Sequence, residues 1–238
     1  MADYIYKRVL LKISGEALKG KSESGYDAEA VRGIVEKIRR VVDRGMEVAL
    51  VCGAGNVWRG VNGTGSGMDR VTADYMGMLA TVMNALCLRD AFTAAGVAAE
   101  VFSAIAMPPV AGGFVRENAI RALEAGKVVI FAGGTGSPFF TTDTTATLRA
   151  LETDCEAVLK ATKVDGIYSA DPFKNPNAER FPQISFAEAL HRQLKIMDST
   201  AFSMCSDNQL PIVVFNFSDP ESLDMVLCGD TTRATVVS

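Results

Sequence analysis

The chain has 238 residues, of which 48% are hydrophobic and 22% are charged. This length fits one large α/β domain or two closely joined lobes, and the composition argues against a disordered protein. The net charge of −4 argues against a surface that coats nucleic acid or an anionic membrane, so any basic site has to be local. We therefore expect neither nucleic acid nor a membrane among the partners.

The cysteine and histidine content disfavours several kinds of site. Five cysteines are scattered without metal-ligand spacing, so we expect reduced, mostly buried thiols in a cytosolic protein. No apolar run approaches the ~18 residues of a membrane span, and we expect no signal peptide. The single histidine, His191, lies in an amphipathic helical pattern and is predicted to be on the surface. A catalytic triad or a histidine-rich metal site is therefore disfavoured.

A first buried strand is predicted within residues 6–14, around the apolar run 9–11. Lys12 lies near its end, and Ser14 and Gly15 form a turn. Open α/β sheets bind ligands at the carboxyl edge of their strands, so Lys12 is predicted to face a ligand. A lysine that only reaches solvent is the alternative.

Residues 15–22, GEALKGKS, match the P-loop pattern G-x-x-x-x-G-K-[ST]. A P-loop requires a helix that begins at the Gly-Lys-Ser end, so that its N–H groups face the phosphates. Here a turn-like stretch follows, and helical periodicity starts only after Asp27, a good N-cap. We therefore interpret the match as coincidental and predict a helix from Asp27 to Gly45.

A second buried strand is predicted over residues 46–52, and a glycine loop, residues 53–56, follows it. Arg59 lies just beyond and can pair with phosphate in a bidentate manner. Residues 60–67 contain four glycines, which suggests a segment that closes over a substrate. This part of the chain therefore predicts a second phosphate-facing strand end.

A long helix is predicted from about residue 71 to residue 95, with Gly96 as its stop. Asp74 lies in the first turn, where a carboxylate is favoured by the helix dipole. Near the expected site it can also accept hydrogen bonds from sugar hydroxyls. The apolar side chains of this helix are predicted to join the core or a subunit contact; they are Met76, Met78, Leu79, Val82, Met83 and Leu86.

A third strand end gives the strongest indication of an anion site. Residues 128–132 predict a short buried strand, and residues 133–143, GGTGSPFFTTD, follow it. Glycine backbone and Thr and Ser hydroxyls are the donors that a phosphate needs; an ordinary strand-to-helix turn is the alternative. Asp143 precedes a helix predicted over about 144–152. Its carboxylate either caps that helix or serves a metal-nucleotide site.

The remaining elements continue the alternation of strands and helices. Strands are predicted over 97–102 and 157–160, with a helix over 116–125 between them. Residues 161–172 then offer an aromatic ring, lysine and hydroxyls at another strand end, where a ring stacks on a base and lysines face phosphates. The alternation predicts an α/β fold with a largely parallel sheet and helices on both faces.

Taken together, the glycine-bearing strand ends, Lys12, Arg59 and Asp143 predict a site that holds two phosphorylated ligands end to end. Phosphoryl transfer needs in-line positioning and cations for the charge on the transferred group. An acceptor that is itself a phosphate is anionic at pH 7 and requires no general base. This agrees with a chain that has one histidine.

Five segments resemble the bacterial UMP kinases of the amino acid kinase superfamily, and the likeness covers nearly the whole chain. They are residues 12–18, 53–60, 76–84, 135–143 and 160–166. The run Pro-Phe-Phe-Thr-Thr-Asp, residues 138–143, is specific to that group. The resemblance implies a three-layer sandwich in one domain, residues 1–238. Its acceptor-side lobe would span about 1–150 and its nucleotide-side lobe about 151–238.

The resemblance also implies the reaction ATP + UMP → ADP + UDP with Mg²⁺ and a set of site residues. Those implied to be catalytic are Lys12, Arg59 and Asp143, with Asp143 organising the lysine and the metal-nucleotide. Those implied for ATP are Lys12, Ser14, Gly15, Gly55, Arg59, Thr162, Tyr168 and Asp171. Those implied for UMP are Ala54, Asp74, Thr135, Gly136, Ser137, Pro138, Phe139, Phe140, Thr141 and Thr142.

Such enzymes are cytosolic homohexamers that GTP activates and UTP inhibits, so the resemblance implies the same here. Ala54 departs from the glycine expected at its position, and its methyl group would crowd the loop if φ were positive there. Two other functions stay open. One is a nucleotide-sensing module without transfer activity, and the other is a superfamily member that phosphorylates a carboxylate or carbamate.

Overall fold

The computed structural model describes residues 3–58 and 67–238. Its centre is a nine-stranded sheet with the order β4-β3-β5-β2-β1-β6-β10-β11-β9, and β7 and β8 form a separate hairpin. The strands are β1 Arg8–Ile13, β2 Glu47–Cys52, β3 Ala99–Ser103, β4 Gly112–Gly113, β5 Val128–Ala132, β6 Ala157–Thr162, β7 Ile167–Tyr168, β8 Arg180–Phe181, β9 Gln183–Ile184, β10 Ile212–Asn216 and β11 Ala234–Val237.

Within the described ranges, neighbouring strands of this sheet are parallel except β10 and β11. Parallel neighbours require crossover connections, and helices supply them. The helices are α1 Ala28–Val42, α2 Arg70–Ala94, α3 Arg116–Glu124, α4 Thr142–Glu152, α5 Phe186–His191, α6 Ser199–Asp207 and α7 Ser222–Leu227, with a short 3₁₀ helix at Gly15–Lys19. The predicted mostly parallel α/β sheet is confirmed.

The central strands are buried on both faces, and alternate residues feed two separate hydrophobic clusters. Leu11 and Leu159 join one cluster with residues of α1, α2 and α7, while Leu10 and Val158 join the other with residues of α3, α4, α5 and α6. The sheet is therefore the middle of three layers, as predicted.

The P-loop match lacks the geometry of a P-loop. Its first half forms the 3₁₀ helix Gly15–Lys19, and Gly20 adopts a φ of 54°. Helix α1 starts only at Ala28, after Asp27, whose carboxylate accepts from the Ala30 N–H at 2.8 Å. The N-cap predicted from the sequence is confirmed, and no helix begins at the Gly-Lys-Ser end of the match.

Helix α4 begins at Thr142, two residues earlier than predicted, because Thr141 is its N-cap. The Thr141 hydroxyl accepts from the backbone N–H groups of Asp143 and Thr144. Capping by Asp143, one of the two roles offered for it, is therefore wrong. Its carboxylate is left free for side-chain partners.

Helix α2 combines buried and exposed apolar side chains. Met78 and Val82 are buried, whereas Leu79 and Met83 are 44% and 51% exposed. By length and composition alone α2 could cross a membrane, although no apolar run of such length was expected. This is weak evidence, because a core helix of a soluble protein passes the same test, and α2 packs on the sheet.

The cysteines and the histidine lie as predicted. All five cysteines are reduced thiols; Cys52, Cys155 and Cys205 are buried, and Cys87 and Cys228 are half-buried. Burial raises the pKa of the Cys52 thiol to about 12, so it stays protonated at neutral pH. His191 is exposed in the last turn of α5.

Candidate functional site: a lysine pair and an aspartate between two cavities

Three charged side chains meet at the carboxyl edge of the sheet. Lys12 on β1 and Lys160 on β6 are register partners in adjacent parallel strands, so both side chains leave the same face. The first turn of α4 covers that face and brings Asp143 between them. Asp143 Oδ2 accepts from Lys160 Nζ at 2.6 Å, and Oδ1 lies 2.9 Å from Lys12 Nζ. The expected convergence of Lys12 and Asp143 is therefore present.

The three groups are mostly removed from solvent; the Lys12 and Lys160 side chains are each 16% exposed and that of Asp143 is 14% exposed. Burial acts to raise the pKa of the Asp143 carboxyl, but the Lys12 and Lys160 charges together hold that pKa below its ordinary value. Burial lowers the pKa of Lys160, and the Asp143 charge opposes that change. The Asp143 carboxyl group therefore lies between two lysine side chains, with one oxygen facing each.

Lys160 has a further contact, since its Nζ also donates to the Ile196 carbonyl at 2.6 Å. Two residues on, Asp198 caps α6 and accepts hydrogen bonds from the Thr141 and Thr144 hydroxyls. Residues 196–198 therefore tie Lys160 and the start of α4 to one segment of the chain.

A cavity of about 310 Å³ lies between α2 and the loops that follow β2 and β5, and Thr142, next to Asp143 in the chain, lines it. Seven of the ten residues expected for UMP line it: Ala54, Asp74, Thr135, Ser137, Phe140, Thr141 and Thr142. Gly136, Pro138 and Phe139 belong to the same loop but do not line the cavity. Gly55, expected to contact ATP, lines this cavity as well.

Helix α2 holds both loops of this cavity. The Thr81 hydroxyl accepts from the Gly133 N–H at 2.9 Å at the end of β5. One turn away, Asn84 donates from Nδ2 to the Gly53 carbonyl at 2.7 Å at the end of β2. The two strand ends are therefore fixed to neighbouring turns of a single helix.

Asp74, in the first turn of α2, reaches across the cavity to the loop after β5. Its Oδ2 accepts from the Phe139 N–H at 2.7 Å, and Arg70 Nε donates to both of its oxygens at 2.9 Å. Phe139 has a φ of 72°, a conformation that is strained for an aromatic residue, and the Arg70 guanidinium lies 5.3 Å from its ring. Asp74 therefore stabilises the strained turn besides lining the cavity.

A second cavity, of about 670 Å³, lies on the other side of the cluster. Lys160 lines it together with the expected ATP-binding residues Thr162, Tyr168 and Asp171. The Tyr168 hydroxyl donates to Asp165 Oδ1 at 2.6 Å, and this bond raises the pKa of Tyr168. The tyrosine that lines this cavity is therefore held by its hydroxyl, and the space is large enough for a nucleoside.

The other residues expected for ATP are more dispersed. Ser14 lines a third cavity, of about 470 Å³, to which Thr162 also contributes. Gly15 is buried against the loop 53–56: a Cβ on it would lie 2.2 Å from the Gly53 carbonyl oxygen. Arg59 lies outside the described residues, as does most of the glycine-rich segment 60–67. Their roles stay predictions.

Ala54 does not crowd its loop. Within the described part of the chain, positive φ at residues other than glycine occurs at Phe139, Asp154, Gln193 and Gln209. Ala54 therefore has ordinary backbone angles, and its methyl group meets no conformational barrier.

Sequence reasoning missed two members of the site. Lys160 was predicted only as the last residue of the strand 157–160 and as part of the resembling segment 160–166, and Asp198 was not considered at all. The alternation of β6 contains a usable signal, because a lysine at a core-facing position of a buried strand requires a partner. Asp198 gave no such signal, since an aspartate before a helix is an ordinary N-cap.

The donor set around Asp143 suits lysines better than a metal ion. Both of its oxygens face ammonium groups. Among the residues that the structure describes, no group of three or more His, Cys, Asp or Glu side chains is arranged to hold a metal. These residues do not fit a metal site built from protein ligands.

The chain resembles known proteins along most of its length. The model of the amino acid kinase family matches residues 7–216. The solved UMP kinase of Ureaplasma parvum is 38% identical with a TM-score of 0.93, and the match covers 100% of each chain. The UMP kinase of Bacillus anthracis is 35% identical with a TM-score of 0.94, over 98% of this chain and 96% of that one. The uridylate kinase of Archaeoglobus fulgidus, 24% identical with a TM-score of 0.71 over 97% and 99%, supports the fold alone.

Proposed function

Because this chain belongs to the amino acid kinase family, we propose that it is a UMP kinase, which transfers the γ-phosphoryl group of ATP to UMP in pyrimidine nucleotide synthesis. The observation that carries the proposal is the cluster of Lys12, Lys160 and Asp143, with a cavity on each side. Two full-length relatives at 35% and 38% identity are UMP kinases.

In the reaction, an oxygen of the UMP phosphate attacks the γ-phosphorus of ATP in line with the β,γ-bridging oxygen. A new O–P bond forms, the bond to the bridging oxygen breaks, and ADP leaves as the anion. Because the attacking phosphate is already ionised, no side chain has to remove a proton. Catalysis therefore rests on orientation and on charge.

Lys12 and Lys160 supply positive charge where the transferred group carries its negative charge. Asp143 holds both ammonium groups in place, so that little reorganisation accompanies the transfer. The backbone of Gly55 and Ala54 and the hydroxyls of the loop 135–142 orient the phosphates. Thr162, Tyr168 and Asp171 hold the adenosine of ATP.

Mg²⁺ would enter with ATP and would need no cage of protein side chains, since the ion usually keeps substrate phosphates and water as ligands. It supplies further neutralisation of phosphate charge. Both oxygens of Asp143 face lysine ammonium groups, so Lys12 and Lys160 would share with the ion the neutralisation of phosphate charge.

We further propose a cytoplasmic homohexamer that GTP activates and UTP inhibits. Support for the effectors and the compartment comes from the resemblance alone. Support for assembly includes the exposed apolar side chains Tyr75, Leu79 and Met83 on α2. Light scattering tests the assembly against six times the 25.4 kDa of one chain, and initial rates with added GTP or UTP test the effectors.

An assay of ADP release decides the function. The chain is incubated with ATP, Mg²⁺ and a panel of acceptors: UMP, CMP, AMP, GMP, glutamate, aspartate and carbamate. We expect turnover with UMP well above that with every other acceptor. Turnover with a carboxylate or carbamate instead would assign another superfamily activity. Tight UTP or GTP binding without ADP release would identify a nucleotide sensor.

A further inference from the structure

Two side-chain amides lie buried beneath the glycine loop 53–56. Asn56 belongs to this loop and is 2% exposed, and Asn84 lies within α2 and is fully buried. Neither side chain lines the cavities described above. Their contacts therefore affect the site indirectly, through the loop 53–56 under which they lie.

The two amides form a reciprocal pair. Asn84 Nδ2 donates to Asn56 Oδ1 at 2.8 Å, and Asn56 Nδ2 donates to Asn84 Oδ1 at 3.0 Å. Each amide has a second N–H, which Asn84 directs to the Gly53 carbonyl at 2.7 Å and Asn56 to the Gly25 carbonyl at 3.1 Å. All four N–H groups have an acceptor, so the pair is complete.

Such a pair determines position more than stability. A buried amide without partners is costly, whereas two apolar side chains of similar shape serve a core about as well. A fully bonded buried network allows one arrangement of its members, because each displacement leaves a polar group unpaired. Here the members include the Gly53 carbonyl, the first backbone group of the loop.

The position of that carbonyl matters because the first loop packs directly on it. A Cβ on Gly15 would lie 2.2 Å from the Gly53 oxygen, 2.6 Å from Asn56 Oδ1 and 2.8 Å from the Gly55 nitrogen. The loops after β1 and β2 are therefore in contact at the atoms that Asn84 and Asn56 fix. Ala54 and Gly55 lie between those fixed points.

We propose that Asn84 is a positioning residue: through Asn56 and the Gly53 carbonyl it sets the backbone of Ala54 and Gly55 against Gly15, and so aligns the phosphates of donor and acceptor. This inference rests on the proposed function. It predicts that disturbing the amide pair weakens interactions with phosphate groups while leaving nucleoside binding unchanged.

The test uses the full chain, three single variants and the double variant Asn84→Asp/Asn56→Ala. Asn84→Asp keeps the size and one acceptor but loses both N–H donors, and Asn56→Ala breaks the pair from the loop side. Asn208→Asp is the control, because Asn208 is an exposed amide at the end of α6 whose Nδ2 donates to the Met204 carbonyl. For each protein, kcat and KM are measured, and dissociation constants are determined for UMP, uridine, ATP and adenosine.

We expect kcat/KM to fall about 10- to 100-fold in Asn84→Asp and Asn56→Ala, since misplacement by about 1 Å costs up to that much. The variants should bind UMP and ATP more weakly, while the dissociation constants for uridine and adenosine stay unchanged. The preference for each nucleotide over its nucleoside should therefore shrink. The double variant should lose less than the product of the two single losses, because both break one network. Asn208→Asp should match the parent.

Folded Asn84→Asp with unchanged kcat/KM and unchanged nucleotide preference would overturn the inference. So would equal weakening of nucleotides and nucleosides, which indicates general loss of structure. If Asn84→Asp does not fold, Asn56→Ala is judged by the same two criteria. Failure of the parent to phosphorylate UMP overturns the proposed function instead, and the comparison of ATP with adenosine still tests Asn84.

Discussion

Lys12 and Lys160 are register partners on adjacent parallel strands, and one carboxylate, that of Asp143, lies against both ammonium groups. Like charges on neighbouring strands repel, so this arrangement needs the aspartate. The cluster carries one net positive charge in a setting with little water. The transferred phosphoryl group is negatively charged, so this positive charge stabilises it during transfer.

Replacing Lys12 by Ala removes one of the two cations. We expect a loss of about 2–4 kcal/mol of transition-state stabilisation, as for one preorganised donor, which corresponds to a fall in kcat of about 30- to 1,000-fold. Steady-state kinetics with ATP and UMP measure it. Lys127→Ala is the control, because Lys127 pairs with Glu100 at the surface. An unchanged kcat in Lys12→Ala would contradict the role.

Replacing Asp143 by Asn leaves two buried ammonium groups facing each other. We expect the free energy of unfolding at pH 7 to fall by about 3 kcal/mol, as when one partner of a buried pair is removed. Urea unfolding measures it. Asp154→Asn is the control, because Asp154 pairs with Arg116 where both side chains are largely exposed; there the expected change is below about 1 kcal/mol.

The same Asp143→Asn comparison should depend on pH. The pKa of Asp143 is lowered in the folded chain. The contribution of Asp143 to the free energy of unfolding is therefore complete above its ordinary pKa of about 3.9, and it is lost as the pH falls through the pKa of the folded chain. The pKa of Lys160 is also lowered and should fall further in the variant, which then regains stability at alkaline pH. The stability difference should be largest near neutrality and narrow at both ends. A difference independent of pH would refute this account.

Replacing Gly15 by Ala tests the contact between the first two loops. The new methyl group would lie 2.2 Å from the Gly53 oxygen and 2.8 Å from the Gly55 nitrogen, so the backbone has to move. We expect kcat/KM to fall about 100-fold. Gly113→Ala is the matched control, since nothing lies within 4 Å of that position in β4 and it lines none of the three cavities. It should keep full activity.

Replacing Asp74 by Ala removes the acceptor of the Phe139 N–H and the partner of Arg70. We expect KM for UMP to rise about 10- to 100-fold, as for losing a hydrogen bond to a charged group, with KM for ATP nearly unchanged. Asp90→Ala is the control, because Asp90 is exposed near the other end of α2. Equal increases in both KM values would show that Asp74 does not act on the acceptor alone.

The sequence by itself determined the parallel sheet, the main helices and the loops that carry the site. Apolar periodicity gave β5 at its observed bounds, and Asp27 marked the start of α1, because burial and capping are local requirements. The same reasoning separated residues 15–22 from a P-loop. Apolar periodicity also placed Lys12 near the end of a buried strand. In a parallel α/β sheet the carboxyl ends of the strands form the ligand-binding edge.

Only the tertiary structure decided which side chains meet. The register of β1 against β6 places Lys160 beside Lys12, although the two residues are 148 positions apart in the sequence. No local pattern encodes that register. The Asn56–Asn84 pair and the Asp198 contacts with α4 likewise join distant segments. Periodicity reports how one segment is buried, whereas charge pairing and hydrogen bonding depend on how separate segments pack.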